Sequence, residues 1–217
     1  MNVPEGWDRS IGSSDIVIAI LDQGVDLDHN DLASKLVGGY DAYGSYYNGT
    51  SDYDPTPLDV EPHGTACAGL AAAATNNGQG IAGVAWYCKL MPVRILSSEF
   101  GRIVPVSIIA DGIEWAANNG ADVLSNSWGY ANPPDDCIKN ALVQAKTNGR
   151  GGKGCVIIAC TQNYGGAIYY PAKYTCVIAV GATDHHDIKW ALSNFGPELD
   201  VMAPAGWSAP ILCTNLN

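Results

Sequence analysis

A histidine stands in "EPHGTACAG" (residues 61–69), followed by small residues that suit a helix. At the first turn of that helix, His63 could be a general base, a metal ligand or a packed core side chain. A neighbouring carboxylate would favour the first task, because it fixes the tautomer that leaves one ring nitrogen free to take a proton. The chain offers such a group in "LDQG", where Asp22 follows the apolar run Ile16–Leu21. Two other polar sets end apolar runs in the same way. Asn126 and Ser127 close "DVLSNSWG", and Asn163 follows Cys155–Cys160 in "ACTQNYGG".

These residues can meet only if the runs share a sheet. Ile16–Leu21, Leu90–Leu96, Val123–Asn126, Cys155–Cys160 and Cys176–Gly181 are continuous and β-branched-rich, as parallel strands covered on both faces should be. Between them, Val106, Ile109, Ala110, Ile113, Ala116 and Ala117 share one helical face before the stop "NNG" at 118–120. Ile138, Ala141, Leu142 and Ala145 share another, with Asp135 or Asp136 as cap and "NG" at 148–149 as exit. The alternation predicts a doubly wound α/β fold: a mostly parallel central sheet with helices on both faces, in three layers. Such sheets bind ligands at the carboxyl ends of their strands, where Asp22, Asn126, Ser127 and Asn163 fall. The Tyr, Asp and Pro-rich stretch 40–62 is expected to be a long surface connection within one domain spanning 1–217.

Composition narrows the partners. The 217 residues are 47% apolar and 15% charged, enough for a sizeable core. Twenty-two acidic against 11 basic residues argue against nucleic acid or an anionic membrane, which want clustered Lys and Arg. There is no apolar run of membrane-spanning length, and "MNVPEGWDRSIG" carries no signal-peptide pattern. Cysteines 67, 88, 137, 155, 160, 176 and 213 form no C-x-x-C pair, which disfavours zinc-ribbon and thioredoxin readings. Of these, Cys155, Cys160 and Cys176 read as buried small hydrophobes. "GQGIAG" at 78–83 matches G-x-G-x-x-G, but it follows the His63 helix and leads into a strand. A pyrophosphate loop needs the reverse order, so the nucleotide reading is set aside.

The order Asp…His, with "DQG" after a strand and "HGT" opening a helix, resembles the subtilisin-like serine peptidases, the subtilases. The resemblance extends through "IVIAILDQGVDLDHNDL", "NNGQGIAGVA", "DVLSNSWG", "VIIACTQN", "YPAKYTCVIAVGATD" and "SNFGPELDVMAP". The cysteine in "HGTACAG" and the tryptophan in "NSWG" look closer to the kexin and proteinase-K sides of that family. The resemblance implies that Asp22 orients His63, that His63 is the general base, and that Asn163 donates to the oxyanion. It also implies that Ser125, Ser127, Trp128 and Gly129 form a substrate-binding edge strand for an extended peptide. The family usually has glycine where this chain has Gln162, which is awkward if that backbone needs positive φ. "PPDDC" at 133–137 lies where kexin-type enzymes place acids selecting basic residues, although a solvated helix cap explains it more simply.

"TNNGQGI" at 75–81 resembles the family's calcium loop. Backbone oxygens of Thr75, Gln79 and Ile81, with side-chain oxygens of Asn77 and Asp31, would be the ligands. The family's nucleophile motif, G-T-S-x-A-x-P, is absent from these residues. Ser208 in "GWSAP" is a poor substitute, because an apolar strand-like "ILC" follows it. The sequence therefore predicts a secreted serine endopeptidase domain, incomplete at both ends and inactive alone. Its partners would be a polypeptide substrate and a pro-segment. The competing expectation is a non-catalytic, peptide-binding module of the same fold.

Overall fold

The structure, a computed structural model, describes residues 3–48, 54–58, 61–98 and 104–205. In chain order it contains α1 (Val3–Trp7), β1 (Val17–Asp22), a 3-10 turn (Ala33–Lys35), β2 (Tyr40–Asp41), α2 (Ala42–Asn48) and α3 (His63–Ala72). β3 (Lys89–Arg94), α4 (Val106–Asn118), β4 (Val123–Asn126), α5 (Asp136–Gly152), β5 (Val156–Cys160), β6 (Ile178–Thr183) and β7 (Val201–Pro204) follow. Among the described residues seven strands pair in parallel, in the order β2-β3-β1-β4-β5-β6-β7. From β1 the chain passes to the edge as β2, returns as β3 beside β1, and then builds outward on the other side from β4 to β7. That reversal opens a crevice beyond the carboxyl ends of β1 and β4.

Register decides which side chains share a face. Ala19 and Leu21 of β1 join the core beneath α4 and α5, with Ile109, Ile113 and Leu142. Ile20 faces the other way and packs with Ala68 and Ala72 of α3. Helices therefore cover both faces, as the alternation predicts. Ile20 is level with Ser125, Ser125 with Ile158, and Ile158 with Ile178, so these side chains share the face that bears α3. Yet α3 packs over β1 and β3. Farther along that face, Val123, Ile158 and Val180 are half-buried, while Val156 and Val201 are 36% and 50% exposed.

Several expectations shift. The run Cys176–Gly181 becomes a strand only from Ile178, because turns closed by Tyr174 N→Pro171 O and Val177 N→Tyr174 O occupy the residues before it. Cys176 is thus a half-buried turn residue, Cys160 is half-buried, and Cys155 alone of the three is fully buried. The described residues of the stretch 40–62 are more than a surface connection. They contribute β2 and α2, and Asp41, Tyr43 and Glu61 are buried. The reason is Arg94, itself buried, which requires counter-charges there. Its Nη1 donates to Asp41 Oδ2 at 3.2 Å, Nη2 lies 3.8 Å from Glu61 Oε2, and the guanidinium stands over the Tyr43 ring. In α5 the helical φ/ψ fails at Gly149, Arg150 and Gly151, where "NG" predicts the exit.

Candidate active site

Asp22 ends β1 and His63 begins α3, and the two elements bring them together. His63 Nδ1 lies 2.8 Å and 3.0 Å from the two Asp22 carboxylate oxygens, and Gln23 N donates to Oδ1 at 2.8 Å. The motif H-G-T explains the approach residue by residue. A Cβ on Gly64 would collide with the Gly24 carbonyl oxygen and stand 3.1 Å from Asp22 Cβ, so only glycine lets the helix come this near. The buried Thr65 hydroxyl accepts a hydrogen bond from Asp26 N at 2.9 Å, tying the loop after Asp22 to the same helix. Glu61, two residues upstream, accepts from Ser97 Oγ at 2.8 Å and from Ser98 N, which ties the entry to α3 to the chain leaving β3.

The Asp22 side chain is 2% exposed and that of His63 is 54% exposed. Charge is therefore hidden behind the ring while Nε2, without a partner among the described residues, faces outward. The hydrogen bond to Asp22 raises the His63 pKa to about 11, with a weaker contribution from Cys67, whose Sγ lies 4.0 Å from Nδ1. Because the folded value is raised, the stabilisation from this pair is complete below the unfolded histidine value near 6.5. It disappears as pH rises through about 11. Asp22, His63 and Cys67 place potential ligand atoms within 4.8 Å of one another, but both carboxylate oxygens already engage the ring nitrogen.

The same edge carries the amide. Leu21 is level with Asn126 and Asn126 with Ala159, so one residue further on Asp22, Ser127 and Cys160 form a row at the carboxyl ends of their strands, Asp22 and Cys160 as the last residues of β1 and β5 and Ser127 just past β4. Asn163 follows in an exposed loop, and its side chain has no partner among the described residues. Among the described residues, no turn hydrogen bond uses its donor. Asn194 of "SNFG", to which sequence reasoning gives no role, holds this loop. It is fully buried; its Oδ1 accepts from Tyr164 N at 2.8 Å and Gly166 N at 3.2 Å, and Nδ2 donates to Ala167 O at 2.7 Å. A cavity of about 280 Å³ opens here, bounded by Ser125, Ser127, Cys160, Gln162, Asn163 and Ala203.

Known proteins resemble the chain along most of its length. The subtilase family model matches residues 13–215. The chain belongs to the subtilase family. Subtilases are serine-type peptidases, and the chain is 40% identical to thermitase of Thermoactinomyces vulgaris over 208 residues, 95% of this chain and 68% of thermitase. It is 37% identical to a calcium-dependent protease of Trichormus variabilis over 217 aligned positions, 90% of this chain and 30% of that protein. Among solved structures, a protease of Pseudoalteromonas arctica superposes with a TM-score of 0.83 at 31% identity, covering 96% of this chain and 68% of that one.

Within this subtilase chain, the expected edge strand is corrected. Ser125 lies in β4, paired with β1 on one side and β5 on the other, so it belongs to a central strand with no free edge. Only Ser127, Trp128 and Gly129 run past the sheet, before Tyr130 bridges Tyr170. Trp128 is 7% exposed and belongs to the hydrophobic core, against the edge of Tyr130. At Gly129 a Cβ would come within 2.6 Å of Tyr170 O and 3.0 Å of Gln162 Nε2. Packing within the chain therefore demands glycine there, before any peptide arrives. Asp135 holds the N-cap position of α5 without a side-chain hydrogen bond.

The loop 75–81 wraps a buried carboxylate. Asp31 is 1% exposed; its Oδ1 accepts from Asn77 Nδ2 at 2.7 Å and its Oδ2 from Ile81 N at 3.0 Å, and Gly80 packs directly on it. Asn77 Oδ1 in turn accepts from Gln79 N at 3.1 Å, so both Asp31 oxygens and the Asn77 oxygen are engaged by N–H donors of the loop; calcium would have to take these oxygens from them and add backbone carbonyls to complete its oxygen shell. Gly78 and Gly80 take positive φ in the loop that encloses this carboxylate, which accounts for "GQGIAG" without a nucleotide.

Proposed function

We propose that this chain is the acid–base and substrate-binding part of a secreted serine endopeptidase, with Asp22, His63 and Asn163 as its working groups. The observation that carries the reading is the two-oxygen grip of Asp22 on His63 Nδ1, with Nε2 left free beside a sheet edge. In the reaction, His63 Nε2 takes the proton from a serine hydroxyl as its oxygen bonds to the peptide carbonyl carbon. The carbonyl oxygen gains charge and is met by the Asn163 amide, which has no competing partner among the described residues. His63 then gives its proton to the leaving amine as the C–N bond breaks. Water, activated by the same ring, releases the acyl group. The peptide lies along Ser127–Gly129, with its main chain facing the backbone groups that leave the sheet there.

No G-T-S-x-A-x-P motif occurs in these 217 residues, and Ser208 lies outside the described residues. The nucleophile in this reading comes from outside them. The apolar face over β4–β7, on the same side as α3, supports a further helix seated there beside His63. A fluorophosphonate probe on the full-length protein should label a serine outside residues 1–217, and His63→Ala should abolish labelling. Residues 1–217 alone should not react. Labelling within 1–217, or a folded full-length protein that does not label, would overturn the assignment.

Calcium belongs to the same proposal. Asp31, Thr75, Asn77, Gln79 and Ile81 would hold the ion, whose task is to neutralise the Asp31 charge and fix the loop. At a hundredfold excess over its dissociation constant, a single ion adds about 2.7 kcal/mol to folding. Chelation of the full-length protein should lower Tm by roughly 5–10 °C. The Asp31→Asn variant should show no response to added calcium. A wild-type Tm indifferent to both chelator and calcium would exclude the ion.

A further inference from the structure

Gln162 adopts φ +80°, a left-handed conformation that strains a glutamine and that a glycine takes freely. Its backbone is fixed there: Gln162 O accepts from Asn194 N at 2.9 Å, and the next residue is the free amide donor Asn163. Its side chain is fixed as well. Nε2 donates to Cys160 Sγ at 3.2 Å, and Cγ and Nε2 lie 3.3 Å and 3.0 Å from the point where Gly129 would carry a Cβ. The side chain thus spans the gap between the Asn163 loop and the Ser127–Gly129 segment and lines the cavity between them.

We propose that Gln162 is a specificity-determining residue: its side chain walls the space that receives the substrate side chain next to the bond being cut. The inference rests on the reading above, in which Asn163 meets the carbonyl oxygen and Ser127–Gly129 carries the peptide. A carbonyl held between those two segments has its own Cα one bond away, and that side chain must enter the space between them. Gln162 already occupies its rim. Tied to Cys160, the glutamine cannot swing aside without losing that contact, and Gly129 leaves no room to retreat. Small or unbranched side chains pass, and aromatic rings are disfavoured.

The test is kcat/KM of the full-length protein on two peptide p-nitroanilides that differ only in alanine or phenylalanine before the cut bond. Wild type should favour alanine. Gln162→Ala removes the wall and keeps the strained φ, whereas Gln162→Gly removes both. Each should raise the phenylalanine-to-alanine ratio by about tenfold or more. An equal rise in the two variants assigns the effect to the side chain. A ratio unchanged in both active variants would overturn the inference, and a rise in Gln162→Gly alone would do so by pointing to the backbone. Wild type that cleaves neither substrate and does not label with fluorophosphonate would sink the peptidase reading itself, a different outcome from an unchanged ratio.

Discussion

Asp22→Asn in the full-length protein should lower kcat by about 10⁴-fold while leaving KM within a few-fold, because the lost group acts in the transition state. The carboxylate accepts from Nδ1, which places the ring's other lone pair at Nε2. An asparagine amide can present N–H to Nδ1 instead, which favours the tautomer with its proton on Nε2, useless as a base. The pH profile separates this from a merely misfolded variant. In wild type the pair holds the His63 pKa up at about 11, so activity should rise with pH along a limb above the ordinary histidine range near 6.5. Removing the charge should bring the limb of the residual activity down towards that value. A profile that does not move would show that Asp22 does not control the ring.

Gly64→Ala should be nearly as damaging, although position 64 performs no chemistry. The added carbon meets a backbone oxygen, not a flexible side chain, so the helix or the loop after Asp22 must give way. Overpacking of this kind costs about 1–3 kcal/mol. The larger effect is on turnover, since a shift near 1 Å at a reacting group is worth about 10²-fold. The loss in kcat should fall between that figure and the one for Asp22→Asn. Measuring Gly64→Ala on the Asp22→Asn background decides the cause. If the glycine works by seating His63 on Asp22, its effect should largely vanish there. Full additivity would assign it to general destabilisation.

Much of this was legible in the residues. β4 could be read to the residue because "DVLSN" is bounded by charge and turn signals, and the α4 face follows from a long amphipathic period. His63 could be placed at the head of a helix because "GTACAGLAA" permits nothing bulkier against the strands. What stayed hidden has physical causes. β2 is two residues long and depends on a buried arginine far along the chain, so no local pattern announces it. β7 is short and ends in proline. Asn194 works through three hydrogen bonds to a loop some 30 residues earlier, a relation that only the folded chain displays. The glutamine before Asn163 was recognisable as an oddity, and the structure turns the concern about positive φ into an observed +80°.

The segment from Asp22 to Asp31 runs alongside α3 and grips it at both ends. Near the front, Asp22 holds His63 and Asp26 N holds Thr65; at the rear, Ala74 N donates to Asp31 O at 2.8 Å. Those ends are about 15 Å apart along the ten-residue helix. The segment and the helix thus form one opening unit: amide hydrogen exchange in 22–31 and in 63–72 should proceed with a common free energy. Loosening the loop around Asp31 should then expose the amides beside His63 at the same step, so loss of the far anchor is expected to cost the base its aim.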